Sequence, residues 1–97
     1  INETKKAPNQ KVAVITNAGG VGVLTADAFQ GKGIQLVDLE EKTKKELRTF
    51  LPSAASVENP IDILGDASQE RYQKALAVID KVSSIGSIIC ILTPQEQ

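Results

Sequence analysis

The stretch Val12 to Gly22, Val-Ala-Val-Ile-Thr-Asn-Ala-Gly-Gly-Val-Gly, holds the residues best suited to chemistry. A β-branched apolar run that reads as a strand buried on both faces leads into Gly19, Gly20 and Gly22. A helical segment, expected from about Val21 to Gln30, follows at once. Strand, glycine-rich turn and helix in that order build an anion site. The N–H groups of a helix's first turn lack partners within the helix, and they point with its dipole towards whatever sits in the loop. Glycines let a ligand approach the backbone closely. They also suit a tight turn that binds nothing.

Other chemistry is scarce. The chain has no histidine, so no histidine nucleophile, base or metal ligand can come from it, and no metal site is read. The single cysteine, Cys90, lies within Ile-Ile-Cys-Ile-Leu and reads as a packing residue. A net charge of −1 gives no electrostatic reason to expect nucleic acid or an anionic membrane as partner. Basic and acidic residues interleave, as in Glu40 to Glu46, in the manner of a solvated helix face. No run is long and apolar enough to span a bilayer and no signal-peptide pattern is present, so a cytoplasmic location is expected.

The elements that must position the loop follow from periodicity. With 41% hydrophobic residues and few aromatics, a single small domain with an aliphatic core is expected. Residues 1–10 are polar, contain Pro8 and read as a linker or the frayed end of a preceding domain; 11–97 form the domain proper. Strands are expected at Lys11–Thr16, Ile34–Leu39, Val57–Leu64 and Ser87–Thr93. The second suits an edge, the third is irregular because of Pro60, and the fourth is central. Helix one would bury Val21, Leu24, Ala28 and Phe29. Helix two, Glu40 to Leu51, would bury Leu47, Phe50 and Leu51, and Pro52 ends it. Helix three is capped by Asp66 with Gln69 three residues on, and carries the stripe Tyr72, Ala75, Leu76, Ile79 and Val82.

The order βαβαβαβ gives an open parallel sheet with helices on both faces. Ligands gather at the carboxyl ends of such strands. The loops Thr16 to Gly22, Leu64 to Asp66 and Thr93 to Gln95 meet there. Four strands without a closing helix make an incomplete domain, read as a section of a longer polypeptide. A dinucleotide-binding fragment is the weaker reading. Asp38 stands where a ribose-binding acid would, but the glycine spacing is GGxG rather than GxGxxG.

Two longer strings carry more information. Val-Ile-Thr-Asn-Ala-Gly-Gly-Val-Gly-Val-Leu-Thr-Ala-Asp, then Phe-Leu-Pro-Ser-Ala-Ala-Ser-Val-Glu-Asn-Pro-Ile-Asp-Ile-Leu-Gly-Asp-Ala, resemble the NDP-forming acyl-CoA synthetases. These are the ADP-forming acetyl-CoA synthetases, relatives of succinyl-CoA synthetase. The resemblance runs from about Lys11 to Gln95 and implies the third flavodoxin-like domain of the CoA-ligase portion. The family converts acyl-CoA, NDP and phosphate to a carboxylic acid, CoA and NTP through a phosphohistidine. That histidine, the CoA-binding domain and the ATP-grasp domain would lie on other domains or subunits, which are the implied partners. The parent would use CoA, ATP or ADP, phosphate and Mg; this domain alone would bind no cofactor and have no activity.

Carried over by position, the phosphate-facing loop is Thr16, Asn17, Ala18, Gly19, Gly20, Val21 and Gly22. Asn59, Asp62 and Gly65 form a second signature in the same crevice. The family commonly has proline where this chain has Val21. Residue by residue, Asn17 could bind phosphate or serve as a turn former, and Asp62 could orient the phosphohistidine loop or satisfy backbone donors. A regulatory or assembly module, as in a synthetase–acetyltransferase fusion, is the non-enzymatic alternative.

Overall fold

Around β2 (Lys11–Thr16) the rest of the sheet is arranged, and every residue of that strand after Lys11 is buried. The structure is a computed structural model that describes residues 2–5 and 11–94. Its remaining elements are β1 (Asn2–Lys5), α1 (Gly19–Gly31), β3 (Gln35–Leu36), α2 (Glu41–Arg48), β4 (Ile61–Asp62), α3 (Gln69–Asp80) and β5 (Ser87–Ile91). β5 runs parallel to β2 along its length, pairing Val12 with Ser87 and Thr16 with Ile91. β3 and β4 share the other side of β2. β3 pairs with Lys11 and Val12, and β4 pairs with Ile15 and Thr16.

Between those two short pairings the ladder is completed by a side chain. Asn59 Oδ1 accepts the Val14 N–H at 2.9 Å, while Asn59 Nδ2 donates to the carbonyls of Val12 and Val37, each at 2.9 Å. One amide therefore supplies both an acceptor and a donor to a strand whose neighbour has run out. β2 leaves no backbone group stranded there, which in a buried strand would be costly.

The sheet divides two cores. Ala13, Ile15, Ile88 and Cys90 face α2 and α3, packing with Leu47, Leu51, Ile61, Ile63, Ala75 and Ile79. Val12, Val14, Ile89 and Ile91 face the other way, with Phe29 of α1 and with Ile34 and Leu36. The expected open sheet with helices on both faces is what forms, and its pairings among β2, β3, β4 and β5 are parallel. As expected, β3 is an edge strand and β5 is interior.

Several local expectations change. Asn2–Lys5, expected within a linker, pairs antiparallel with β5, Asn2 opposite Cys90 and Lys5 opposite Ser87. A polar edge strand needs only backbone pairing, so hydrophobic alternation gives no sign of it. Residues 1 and 6–10 lie outside the described residues, as does Gln95 of the third loop. The third strand shrinks from Val57–Leu64 to Ile61–Asp62, and α2 stops at Arg48. The cap of α3 is Ser68, whose Oγ accepts the Arg71 N–H at 3.1 Å, and Asp66 instead pairs with Arg71 at 2.9 Å.

The largest correction concerns α1. Its buried residues are Gly22 and Ala26, whereas Val21, Val23 and Leu24 are 41%, 56% and 71% exposed, and Ala28 is also exposed. A Cβ added to Gly22 would lie 2.9 Å from Thr16 Cγ2 and 3.4 Å from Pro60 Cβ. The helix sits so close to the sheet that its inner face must be small, and its larger apolar residues are turned outward.

Two measurements check these contacts. Asn59→Ala removes three hydrogen bonds and should lower unfolding free energy by about 2–4 kcal/mol in denaturant titration, with Asn59→Asp at least as damaging. The second check uses Tyr72, whose hydroxyl donates to Cys90 Sγ at 3.2 Å. The bond to Cys90, with burial, pushes the phenol up to about 12, and burial pushes the Cys90 thiol up. Both groups are held neutral in the fold, so their contribution is whole at neutral pH and lost as the unfolded chain ionises first. Unfolded phenol titrates near about 10, so the stability advantage of the wild type over Tyr72→Phe should narrow between about pH 10 and 12.

Candidate functional site

At the carboxyl ends of the strands the loop after β2 meets the turn after β4 and the residues after β5. Thr16 is buried, and its Oγ1 accepts the Ala18 N–H at 2.9 Å while lying 3.2 Å from the Ala18 carbonyl. Asn17 is clasped to the end of β5. Its Oδ1 accepts the Thr93 N–H at 2.8 Å and the Thr93 hydroxyl at 3.1 Å, and its Nδ2 donates to the Thr93 carbonyl at 2.9 Å. The Asn17 amide is thus committed to Thr93, a long-range clasp between the first and third loops.

Ala18 is the N-cap of α1 and has no side-chain hydrogen bond to offer. The first intrahelical bond runs from the Gly22 N–H to the Ala18 carbonyl at 3.1 Å. Helix geometry therefore leaves the N–H groups of Gly19, Gly20 and Val21 without a carbonyl of their own helix. The helix begins two residues earlier than Val21, so Val21 is its third residue rather than its first. There is no acidic side chain in the first turn of α1.

The three glycines differ in what surrounds them. A Cβ on Gly19 would meet Asp62 Oδ2 at 2.6 Å, one on Gly22 would meet Thr16, and one on Gly20 would find nothing within 4 Å. Gly22 is thus held small by Thr16 and Pro60, a larger residue at position 19 would have to displace the Asp62 carboxylate, and position 20 is unobstructed among the described residues. The space over Gly20 is open, at the end of the helix where three donors emerge.

Of the second signature, Asp62 reaches this place and Asn59 does not. Asn59 is spent inside the sheet. Asp62 Oδ1 accepts the Leu64 N–H at 2.9 Å, so this carboxylate does satisfy a backbone donor. Leu64 has φ of 75°, a left-handed conformation unusual for a bulky side chain. Gly65 follows in the turn, half-buried, and Arg71 Nη1 ties that turn down by donating to the Ile63 carbonyl at 2.9 Å.

Two shallow cavities flank the start of α1. One of about 310 Å³ is lined by Asn17, Ile63, Ala67, Ser68, Tyr72 and Leu92. The other, about 260 Å³, is lined by Thr16, Gly19, Val23, Pro60 and Asp62. Further out, Lys44 makes an ion pair with Glu58 at 3.0 Å, and that hydrogen bond holds its ammonium above the usual lysine range. Among the described residues no group of three or more acidic or cysteine side chains could hold a metal ion, and no helix is long and apolar enough to cross a membrane.

The glycine contacts predict opposite signs for one substitution. Gly20→Ala should raise thermal stability by up to about 1 kcal/mol, because alanine is the better helix former and nothing obstructs it. Gly22→Ala should cost about 1–3 kcal/mol, because the helix must move off Thr16 and Pro60. Thermal unfolding of the two variants beside the wild type reads both.

The chain is similar in sequence and fold to known proteins. The Ligase-CoA domain family matches residues 12–93. Acetate–CoA ligase [ADP-forming] I of Archaeoglobus fulgidus is 40% identical over 93 residues, 96% of this chain and 13% of that protein. A crystal structure of a protein from Pyrococcus horikoshii OT3 superposes with a TM-score of 0.87 at 41% identity, covering 95% of this chain and 21% of that one. The dinucleotide-forming acetyl-coenzyme A synthetase 1 of Ca. Korarchaeum cryptofilum, solved in complex with phosphate and ADP, gives a TM-score of 0.80 at 30% identity over 92% of this chain and 19% of its own. The chain thus spans between 13% and 21% of the length of these relatives. With the family match over residues 12–93 and relatives alike in sequence and fold, this chain belongs to the Ligase-CoA domain family.

Proposed function

We propose that this chain serves as one domain of an ADP-forming acyl-CoA ligase, and that the start of α1 receives a phosphoryl group carried by another domain of that enzyme. The observation that carries the reading is the start of α1, where the N–H groups of Gly19, Gly20 and Val21 precede the first intrahelical bond and, among the described residues, a Cβ on Gly20 would meet nothing. Preorganised N–H groups stabilise charge as it develops on a transferring oxyanion without having to reorient, and loss of one such donor typically costs about 3 kcal/mol. The dipole of α1 adds to them, and no acid in its first turn cancels it.

The chain's own contribution is binding and orientation. With no histidine in its sequence it offers no side chain to carry the phosphoryl group in the manner the family resemblance implies. The donors that fit a phosphoryl group are backbone groups, and the polar side chains nearest them are already engaged: Thr16 with Ala18, and Asn17 with Thr93. CoA, nucleotide and Mg are assigned to the remaining domains. The exposed Val21, Val23 and Leu24 on α1 suit a domain that packs against others beside its site.

Phosphoenzyme formation tests the reading. In the full-length ligase, Gly20→Val should cut acid-labile phosphoenzyme formation at least tenfold, about 1.4 kcal/mol of transition-state stabilisation, with CoA binding by calorimetry unchanged. A Cβ there meets nothing among the described residues, and an unchanged thermal midpoint for the variant would assign a loss to the crevice rather than to misfolding. The 97-residue chain alone should take no acid-labile label. Normal phosphorylation of Gly20→Val would reduce the loop to a turn.

A further inference from the structure

We propose that Asp62 is a positioning residue for the phosphoryl-facing end of α1, acting as a strut between that helix and the turn after β4; this rests on the reading of the site just given. The carboxylate has two separate engagements. Its Oδ1 accepts the Leu64 N–H at 2.9 Å and so fixes a turn in which Leu64 has φ of 75°. Its Oδ2 stands over Gly19, 2.6 Å from where a Cβ would be. Thr16 and Asp62 are also opposed in the parallel pairing of β2 with β4, so the strut spans neighbouring strands at the same level.

The contact accounts for Gly19. This residue is helical, and a methyl group there would have to displace the Asp62 carboxylate, whose Oδ2 occupies that volume. Gly19 is the first residue of α1, and its own N–H is one of the three free donors. The Asp62 carboxylate thus lies beside the residue that carries the first N–H of α1. A left-handed leucine held by one carboxylate oxygen, with the other oxygen against a helix start, places two of the crevice's three loops under one side chain. Backbone held in a sparsely populated region persists only where its surroundings enforce it, and Asp62 does so here together with Arg71, which donates to the Ile63 carbonyl.

Charge adds a second consequence. Asp62 is the carboxylate that touches the positive end of α1, and an anion bound to the Gly19–Val21 donors would lie within the screening length of about 8 Å. Asn at this position keeps the shape and the acceptor for Leu64 but removes the repulsion. The isosteric variant should therefore bind phosphate more tightly, whereas the truncated variant should lose alignment. A side chain that served only to hold the fold would not produce that reversal.

The experiment uses the full-length ligase with acetyl-CoA and inorganic phosphate, reading acid-labile phosphoenzyme per folded molecule, the KM for phosphate and the thermal midpoint. Asp62→Asn should keep phosphoenzyme formation within about threefold of wild type and lower the phosphate KM by about threefold or more. Asp62→Ala and Gly19→Ala should each cut phosphoenzyme formation at least about tenfold, with CoA binding retained. Gly19→Ala should lose less in an Asp62→Ala background than alone, because the methyl group then has room; this non-additivity is the mark of the contact. The strut is overturned if Asp62→Ala behaves as wild type, if Asp62→Asn is as impaired as Asp62→Ala, if the losses follow the thermal midpoint alone, or if the two substitutions simply add. A wild-type ligase that forms no phosphoenzyme would instead remove the reading of the site, and the inference with it.

Discussion

The amide of Asn59 is the contact on which the sheet depends. β2 needs a neighbour along its whole length, yet on one side it has only two residues of β3 at its start and two of β4 at its end. A carboxamide is the one side-chain group able to accept from an N–H and donate to a carbonyl as a peptide does. Placed beside Val14, it acts as the missing peptide, and its second proton reaches Val37 at 2.9 Å to hold the segment after β3 as well. Without it the chain could not pass from β3 to β4 on the same side of β2 while leaving that strand buried.

That economy determines the position of the crevice. Because β4 is brought in at the end of β2, the turn after it arrives beside the start of α1. Three side chains then lock the meeting point: Thr16 within its own loop, Asn17 to Thr93, and Asp62 to Leu64. Each connects backbone to backbone, so each uses its polar atoms on the chain itself.

How much of this can be read from sequence depends on whether the relevant force leaves a pattern. β2 and β5 were legible because burial on both faces demands unbroken apolar runs, and α3 because its stripe from Tyr72 to Val82 follows helical spacing. The loop after β2 was legible as strand, glycines and helix. The orientation of α1 was not. Hydrophobic periodicity assumes that large residues go inward, whereas close approach to the sheet required Gly22 and Ala26 on the inner face and turned Leu24 outward. β1 escaped because polar residues at an edge need only their backbones. Asn59 and Asp62 drew attention through the family resemblance, but only coordinates separate them: one completes a sheet and the other bears on the helix start. Ser68 and Asp66 are both sound helix caps, and the salt bridge to Arg71 decides between them.

A crevice that presents backbone donors and keeps its side chains for internal locking has a particular tolerance. Donor positions on α1 depend on where the helix starts and how closely it meets β4, not on the identity of Val21 or of the residues exposed around it. Substitution of Val21, Val23 or Leu24 by any residue other than proline leaves the backbone N–H groups of the helix start in place. The intolerant positions are instead Gly19, Gly22, Thr16, Asn59 and Asp62, which set the approach of helix to sheet. The physical constraint falls on packing behind the donors, and the recognising atoms are common to nearly every residue. The valine at position 21 illustrates this. Its N–H emerges in the first turn, where a proline would have none, and the helix begins at Gly19 with the same approach to Asp62.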